Sequence, residues 1–121
     1  MRVAIPDWHG KVSPVFDVAG RLLVIDLERG EEIRRRAEVL TGLTPVARVH
    51  RLGALGVDTL VCGAISSAVE HLAVAIGIRV VSLVSGPVDA VARIIAAGQP
   101  IPASCLLPGC ERPRVRRGAR N

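Results

Sequence analysis

The first half of the chain contains three strand-like patterns separated by polar segments. Val3–Ile5 is a short apolar run before Pro6, and residues 21–27 are mostly apolar, so both predict buried strands. Residues 32–39 alternate between apolar and charged positions, which predicts an edge strand with a charged outer face. The glutamate–arginine spacing in residues 31–36 is also compatible with a helix. Residues 6–20, between the first two runs, form a longer connection than a usual hairpin loop.

The second half of the chain alternates between short apolar runs and helical periodicity. Thr44-Pro45 predicts the start of a first helix, because these residues suit the N-cap and the first helical position. Residues 67–70 match a capping box for a second helix, and Gly86-Pro87 precedes a third. Strands are predicted at residues 58–62 and 78–84. The predicted order is therefore β-β-β-α-β-α-β-α.

This order is typical of an α/β protein. Strands joined by helices are expected to run parallel through right-handed crossovers, and the two early hairpins are expected to be antiparallel. The prediction is a mixed five-stranded sheet flanked by helices, which is the plan of a ribonuclease-H-like fold. A chain of 121 residues suits one domain.

Charge is concentrated at the end of the chain. Residues 111–121 contain five arginines against one glutamate, which accounts for +4 of the net charge of +5. We therefore expect a single domain over residues 1–110 and a basic, disordered tail over 111–121. A nearly neutral domain does not favour a nucleic-acid-binding face.

Composition also limits the compartment. The apolar runs are too short for a membrane span of roughly 20 residues, and the first residues do not form a signal peptide. Three cysteines, an odd number, suit a reducing cytoplasm better than a disulfide framework. We therefore expect a cytoplasmic protein.

Three segments follow the predicted parallel strands at their carboxyl ends, where ligands collect in such sheets. They are residues 6–17, the turn at 62–67 and the turn at 85–87. Two of these segments open helices, whose N–H groups favour anions, and Lys11 adds a positive charge. If the parallel strands are neighbours, the sequence predicts an anion site at one edge of the sheet.

The soft metal ligands are few. Cys62 is either a small buried side chain or a thiolate stabilised by the helix that follows it. Cys105 and Cys110 form one pair, which is a weak indication of metal binding. His9 lies in the long loop, whereas His50 and His71 are expected to be solvated. The residues alone therefore leave Cys62, His9 and the pair of Cys105 with Cys110 as candidate metal ligands, and the resemblance described below selects Cys110 from that pair.

The aromatic and acidic residues allow further alternatives. Trp8 and Phe16 either fill the core or cover a ligand when the loop closes. A nuclease of this fold would cluster acidic side chains around two metal ions. The first strand has no acid at its centre, and Asp58 lies at the opposite end of its strand from the predicted site. These positions disfavour nuclease chemistry.

Several segments also carry a family resemblance: Val3–Pro6, Trp8, Val12–Asp17, Cys62–Ser66, Val84–Val88 and Pro108–Cys110. Together they resemble the dinitrogenase iron–molybdenum cofactor biosynthesis family, over residues 1–110. The family's ribonuclease-H-like fold agrees with the element order. The resemblance implies a non-catalytic protein that binds an iron–sulfur or iron–molybdenum-type metallocluster, or transfers it between partner proteins, in a family that includes nitrogen-fixation proteins.

The resemblance places the binding region in the loop 8–17 and the turn 62–66, and Cys110 matches its Pro-Gly-Cys feature. Combined with the predicted sheet edge, the expected ligand-contacting residues are Trp8, His9, Lys11, Ser13, Phe16, Gly63, Ser66, Ser85 and Gly86. Two other functions remain open at this point. One is a nucleic-acid-binding or nuclease-like domain, and the other is a regulatory module that binds an anion or a partner protein without metal.

Overall fold

The structure, a computed structural model, describes residues 1–118 and contains one mixed sheet with three α-helices. The strands are β1 (Arg2–Trp8), β2 (Lys11–Val12), β3 (Arg21–Glu28), β4 (Glu31–Val39), β5 (Thr59–Val61), β6 (Arg79–Ser82) and β7 (Arg114–Arg116). The helices are α1 (Pro45–Ala54), α2 (Ser67–Ala75) and α3 (Val88–Ala96).

The sheet order is β4-β3-β1-β5-β6-β7, with β2 beside β1. Strands β1, β5 and β6 are parallel, and the other pairings are antiparallel. The α/β class and the predicted parallel neighbours are therefore confirmed. The expectation of five strands is wrong, because the sheet has seven. The two additional strands, β2 and β7, are two and three residues long, too short to show a hydrophobic pattern.

The first strand continues beyond the position where the sequence predicted its end. Pro6 lies inside β1, past the last residue that pairs with β5, which is Ala4. A proline is tolerated there because no neighbouring strand needs its missing N–H. His9 and Gly10, with φ of 52° and 85°, then form a two-residue turn into β2. Positive φ at both positions is typical of tight hairpins.

Strand β4 is an edge strand, as predicted, and the helical alternative is wrong. Its apolar positions are not buried, however, because Ile33 is 58% and Val39 is 67% exposed. Arg35 donates to Glu32 in its own strand and to Asp89 in α3. The hydrogen bond of Arg35 with Asp89 therefore connects this edge strand to α3. The exposed apolar positions show that β4 extends beyond the apolar core.

The start of α1 matches the prediction, whereas the start of α2 differs by one residue. Thr44 caps α1 by accepting a hydrogen bond from the backbone N–H of Ala47. In α2 the N-cap is Ser66, so the predicted capping box is wrong. Glu70 is instead 3% exposed and pairs with Arg114 and Arg116 of β7.

Two apolar clusters fill the two faces of the sheet. One contains Phe16 and Cys62 and packs with α1 and α2, and the other contains Cys105 and packs with α3. Adjacent residues of the central strands contribute to opposite clusters, as in Ala4 and Ile5, because side chains alternate across a strand. The cysteines are therefore divided between the faces.

The basic segment does not remain apart from the domain. Residues 114–116 form β7, which pairs with β6, where the sequence led us to expect a disordered tail. The pairing depends on the free edge of β6 and on buried Glu70, neither of which is visible in the local sequence. Residues 119–121 of the expected tail lie outside the described residues. In the part of the chain described, no helix is both long and apolar enough to cross a membrane.

Candidate functional site

The three segments predicted to share one sheet edge do meet there. Val15 and Ala64 form a parallel bridge, in which Phe16 N donates to Ala64 O at 2.9 Å. Ala64 N donates to Pro14 O at 2.7 Å, and Val12 N donates to Gly86 O at 2.9 Å. We call this edge the rim, defined as residues 8–17, 62–67 and 85–88. These backbone contacts are sufficient to confirm that the three segments converge.

A close backbone approach explains Gly63. A Cβ atom at this position would lie 2.5 Å from the Pro14 carbonyl oxygen and 2.8 Å from that of Ser13. Backbone atoms cannot move away as easily as the end of a flexible side chain. Gly63 is therefore required for the loop to contact the end of β5. Gly86, with φ of +103°, supplies a backbone conformation that other residues rarely adopt.

Two polar residues that sequence reasoning missed hold the rim together. Asp17 Oδ1 accepts from the Ser66 backbone N–H at 2.9 Å, which connects the loop to the start of α2. Arg48, 5% exposed in α1, donates to the carbonyl oxygens of Phe16, Ala19 and Leu43. Nothing in the sequence indicated this role, because Phe16 and Ala19 lie 32 and 29 residues from Arg48 along the chain.

Several predicted ligand-contacting side chains are buried. Phe16 is fully buried and Ser13 is 6% exposed, so neither side chain reaches the surface of the rim. Phe16 therefore fills the core. Ser85 is half-buried, and its hydroxyl donates to Leu106 O at 2.7 Å. Loop closure over a ligand by Phe16 would require breaking the backbone contacts of the rim.

The rim is exposed at the hairpin and at several positions outside it, among them Ser66 at the start of α2. Trp8 is 57% exposed, and its ring lies edge-on to His9 with centroids 5.0 Å apart. Lys11 is exposed, and its backbone forms an antiparallel β-bridge with Pro87, the residue before α3. These three side chains are the ones in the hairpin that a ligand could contact without movement of the core.

The helix starts are less open than the sequence suggested. In α2, the N–H groups of Ser66 and Val69 bond to Asp17 and to the Ser66 side chain. In α3, Val88 N donates to Gly10 O at 2.9 Å. Protein groups thus occupy some of the donors that were expected to bind an anion, and the positive side chain of Lys11 lies beside the start of α3.

The cysteines do not form a common site. Cys62 is fully buried, and desolvation, with smaller contributions from Glu70 and Asp17, raises the pKa of its thiol far above the usual range. Without a metal it is therefore a protonated thiol, and a metal that bound there would have to displace the proton and enter the core. Cys105 is buried on the opposite face of the sheet, and Cys110 is half-buried. Among residues 1–118, no three His, Cys, Asp or Glu side chains are grouped to hold a metal ion.

The position of Cys110 in the sheet follows from hydrogen bonds on either side of it in the chain. Leu107 N donates to Leu83 O just after β6, and Arg114 pairs with Ser82 at the end of β6. Cys110 lies between these two anchors, with its N–H bonded to Leu107 O at 3.1 Å. The structure thus places Cys110 at the carboxyl end of β6, the same end of the sheet as His9.

Comparisons with known proteins concern the fold. No family model matches the sequence, and no curated protein matches it either. The crystal structure of PH0822 has a TM-score of 0.78 at 20% identity, covering 82% of this chain and 91% of that one. The crystal structure of a "putative dinitrogenase" from Methanocaldococcus jannaschii has a TM-score of 0.68 at 17% identity, covering 82% and 90%. These two likenesses establish a shared fold.

A third structure has a higher sequence identity. The NMR structure of a "putative NifB protein" from Thermotoga, assigned to the DUF35 family, is 27% identical with a TM-score of 0.61. The match covers 81% of this chain and 89% of that one. The chain is therefore similar, over most of its length, to proteins named for dinitrogenase and NifB.

Proposed function

We propose that this protein is a non-catalytic carrier of an iron–sulfur or iron–molybdenum-type metallocluster, which it receives from one partner protein and delivers to another. The observation that carries the proposal is the exposed hairpin of the rim, where His9 and Lys11 lie beside the start of α3. Similarity to proteins named for dinitrogenase and NifB supports a role in nitrogenase cofactor biosynthesis. The mixed sheet order supports a ribonuclease-H-like fold, and a reducing cytoplasm would suit this cargo.

In this proposal the cluster is cargo. The imidazole of His9 binds iron, and the ammonium group of Lys11 offsets the negative charge of the cluster. Cys110 is a candidate second ligand because it lies at the same end of the sheet. Few protein ligands suit a carrier, since each metal–ligand bond has to break when the cluster is transferred.

Cys62 has a different role in this proposal. Its thiol is fully buried in the same apolar cluster as Phe16, so it supports the rim by packing in the core. Asp17 and Arg48 act as positioning residues, because they hold the loop against α2 and α1. The backbone thus presents His9 on a fixed platform, and cargo binding does not require a folding step.

Anaerobic reconstitution with iron and sulfide tests the proposal. The wild-type chain should retain iron and show visible charge-transfer absorption after gel filtration. His9→Ala should lower the bound iron by about tenfold or more, since even the loss of an outer-shell partner has effects of that size. His71→Ala removes another exposed histidine, in α2 and outside the rim, and should leave the iron content unchanged.

Two results would contradict the carrier function. A wild-type protein that emerges colourless and free of iron would exclude cluster binding under the conditions that favour it. An equal loss of iron in His9→Ala and His71→Ala would indicate non-specific binding. Cys62→Ala should retain the cluster if the protein remains folded. Loss of the cluster from a folded Cys62→Ala variant would show that the buried thiol is a ligand.

A further inference from the structure

Two of the cavities lined by the described residues lie at the amino ends of the parallel strands, opposite the rim, and share a wall. One has a volume of about 830 Å³ and is lined by Asp58, His71, Arg79 and Arg117, among others. The other, about 470 Å³, shares Met1, Thr59 and Arg79 with the first. Arg79, at the start of β6, thus contributes to both. Cavities of this size accommodate metabolite-sized ligands.

From this arrangement we propose a second binding site at the amino end of the sheet, which takes a small organic anion bearing phosphate or carboxylate groups. Arg79 and Arg117 would bind the anionic group, since guanidinium groups form strong charge-assisted hydrogen bonds with both kinds of oxygen. The site is separate from the rim, because the strands lie between them. It does not depend on metallocluster binding.

The hydrogen bonding of Arg79 is the first observation that carries this inference. Its Nε atom is buried and has no hydrogen-bond partner among the described residues. A buried donor left without an acceptor costs roughly 1–3 kcal/mol, so such groups normally have partners. By contrast, Arg2 bonds to Asp26, and Arg114 to Glu70. The Nε atom itself is too buried for a ligand in the cavity to reach, but no carboxylate among the described residues pairs with the Arg79 guanidinium, which lines the cavity and leaves its charge for an anion bound there.

The charge around the cavity is the second observation. Asp58 is the acidic residue of the larger cavity, and its Oδ2 atom already accepts from the Arg2 backbone N–H at 2.8 Å. Arg79 and Arg117 outnumber this carboxylate. The cavity wall therefore favours anions.

The apolar part of the wall indicates an organic ligand. Val74 and Ala75, from the last turn of α2, line the same cavity as the two arginines. Pockets for small molecules typically combine apolar walls with a few polar groups that fix orientation. A ligand with a carbon skeleton and an anionic group fits this combination better than a bare inorganic ion.

Calorimetric titration of the full chain with pyrophosphate and with citrate, at low ionic strength, tests this site. Pyrophosphate probes phosphate recognition and citrate probes carboxylate recognition, so the tighter of the two identifies the group preferred. Arg79→Met should weaken binding of the preferred probe by about tenfold, the equivalent of one charge-assisted hydrogen bond. Arg117→Met, at an exposed position, should weaken it by about threefold or more.

Arg93→Met is the matched control, because Arg93 is an exposed arginine of α3 that lines neither of the two cavities. It should bind as the wild type does. The proposal is overturned if neither probe binds the wild-type chain, or if Arg93→Met weakens binding as much as the cavity variants. Wild-type affinity in Arg117→Met and in a folded Arg79→Met would also overturn it. If Arg79→Met does not fold, Arg117→Met alone decides the outcome.

Discussion

The two ends of the parallel strands are held by different interactions. At the carboxyl end, the rim is joined by backbone hydrogen bonds, among them Ala64 to Pro14 and Val12 to Gly86. At the amino end, side chains line cavities, and Arg2, the first residue of β1, pairs with Asp26 of β3 at 2.6 Å. The rim is thus closely packed, whereas the amino end retains space.

This difference explains how a small domain can present two kinds of surface. Backbone contacts at the rim fix the position of the hairpin that carries His9, with little room for side-chain substitution at Gly63. Ion pairs at the amino end tolerate rearrangement, since long arginine side chains are flexible. We therefore expect substitutions at the rim to change stability most, and substitutions at the amino end to act through charge.

The largest effect is expected for Gly63→Ala. The new methyl group would lie within 3 Å of the carbonyl oxygens of Ser13 and Pro14, so the loop has to shift. We expect a loss of about 3 kcal/mol in the free energy of unfolding, measured by urea denaturation. Gly20→Ala is the control, because its nearest new contact is the Thr41 hydroxyl at 3.3 Å, and it should change stability by less than about 0.5 kcal/mol. Equal stabilities for the two variants would contradict the close approach at Gly63.

A smaller loss is expected for Arg48→Met. The substitution removes the hydrogen bonds to Ala19 O and Leu43 O, at 2.5 and 3.2 Å, and leaves these carbonyls without that donor. The expected loss is about 2 kcal/mol, with faster amide exchange in the loop at residues 16–19. Arg51→Met, at another position of α1, removes a half-exposed ion pair with Glu38 of β4 and should cost much less. Unchanged exchange in the loop would show that Arg48 does not anchor it.

At the edge of the sheet, the double variant Arg114→Met with Arg116→Met should release β7 from β6. Glu70 would remain buried without its cationic partners, which we expect to cost about 1.5 kcal/mol because both arginines are half-exposed. Hydrogen exchange should quicken at Val115 and at its partner Val81. The single change Arg93→Met, outside this cluster, should leave both amides protected. Persistent protection in the double variant would mean that backbone pairing alone holds β7.

The smallest effect concerns the pH dependence of stability at alkaline pH. Burial raises the pKa of the Cys62 thiol far above the value of about 8.5 expected in the unfolded chain. Below that pH both states keep the proton. Above it the unfolded chain ionises while the folded state does not, so stability falls as pH rises, by up to about 1.4 kcal/mol per pH unit.

Cys62→Ala should therefore flatten the dependence of unfolding free energy on pH above about 9. Thiol labelling provides a second measurement, since the native protein should react at Cys62 only after unfolding. An unchanged slope in the variant, or rapid labelling of native Cys62, would show that the thiol is accessible to solvent. Such a result would restore Cys62 as a candidate ligand.

Part of the fold could be read from local patterns. Thr44-Pro45 indicated the start of α1, because an N-cap and a first-turn proline act within a few residues of each other. The alternation in residues 32–39 indicated β4 for the same reason. The burial of Phe16, by contrast, depends on α1 and β5, which are distant in sequence. The choice between a core role and a ligand-covering role could not be made without them.

The candidate site was predicted as a location and not as a set of contacts. Chain order was enough to bring residues 8–17 near the turn after β5, since parallel neighbours end at the same edge. It could not show that Asp17 and Gly10 would occupy N–H groups at the starts of α2 and α3. The His9-Gly10 turn had a sequence indication, because glycine in a short polar segment favours a tight hairpin.

The amino-acid sequence by itself determined the α/β class, the parallel arrangement of β1, β5 and β6, and the edge at which the loops meet. Those features follow from periodicity and chain connectivity, which act over short stretches of sequence. Only the tertiary structure decided the protonated state of Cys62, the pairing of β7 and the cavities around Arg79. Each of these depends on groups that are far apart in the sequence and that exclude water or supply an opposite charge. Local sequence patterns do not show which of these groups come together in the fold.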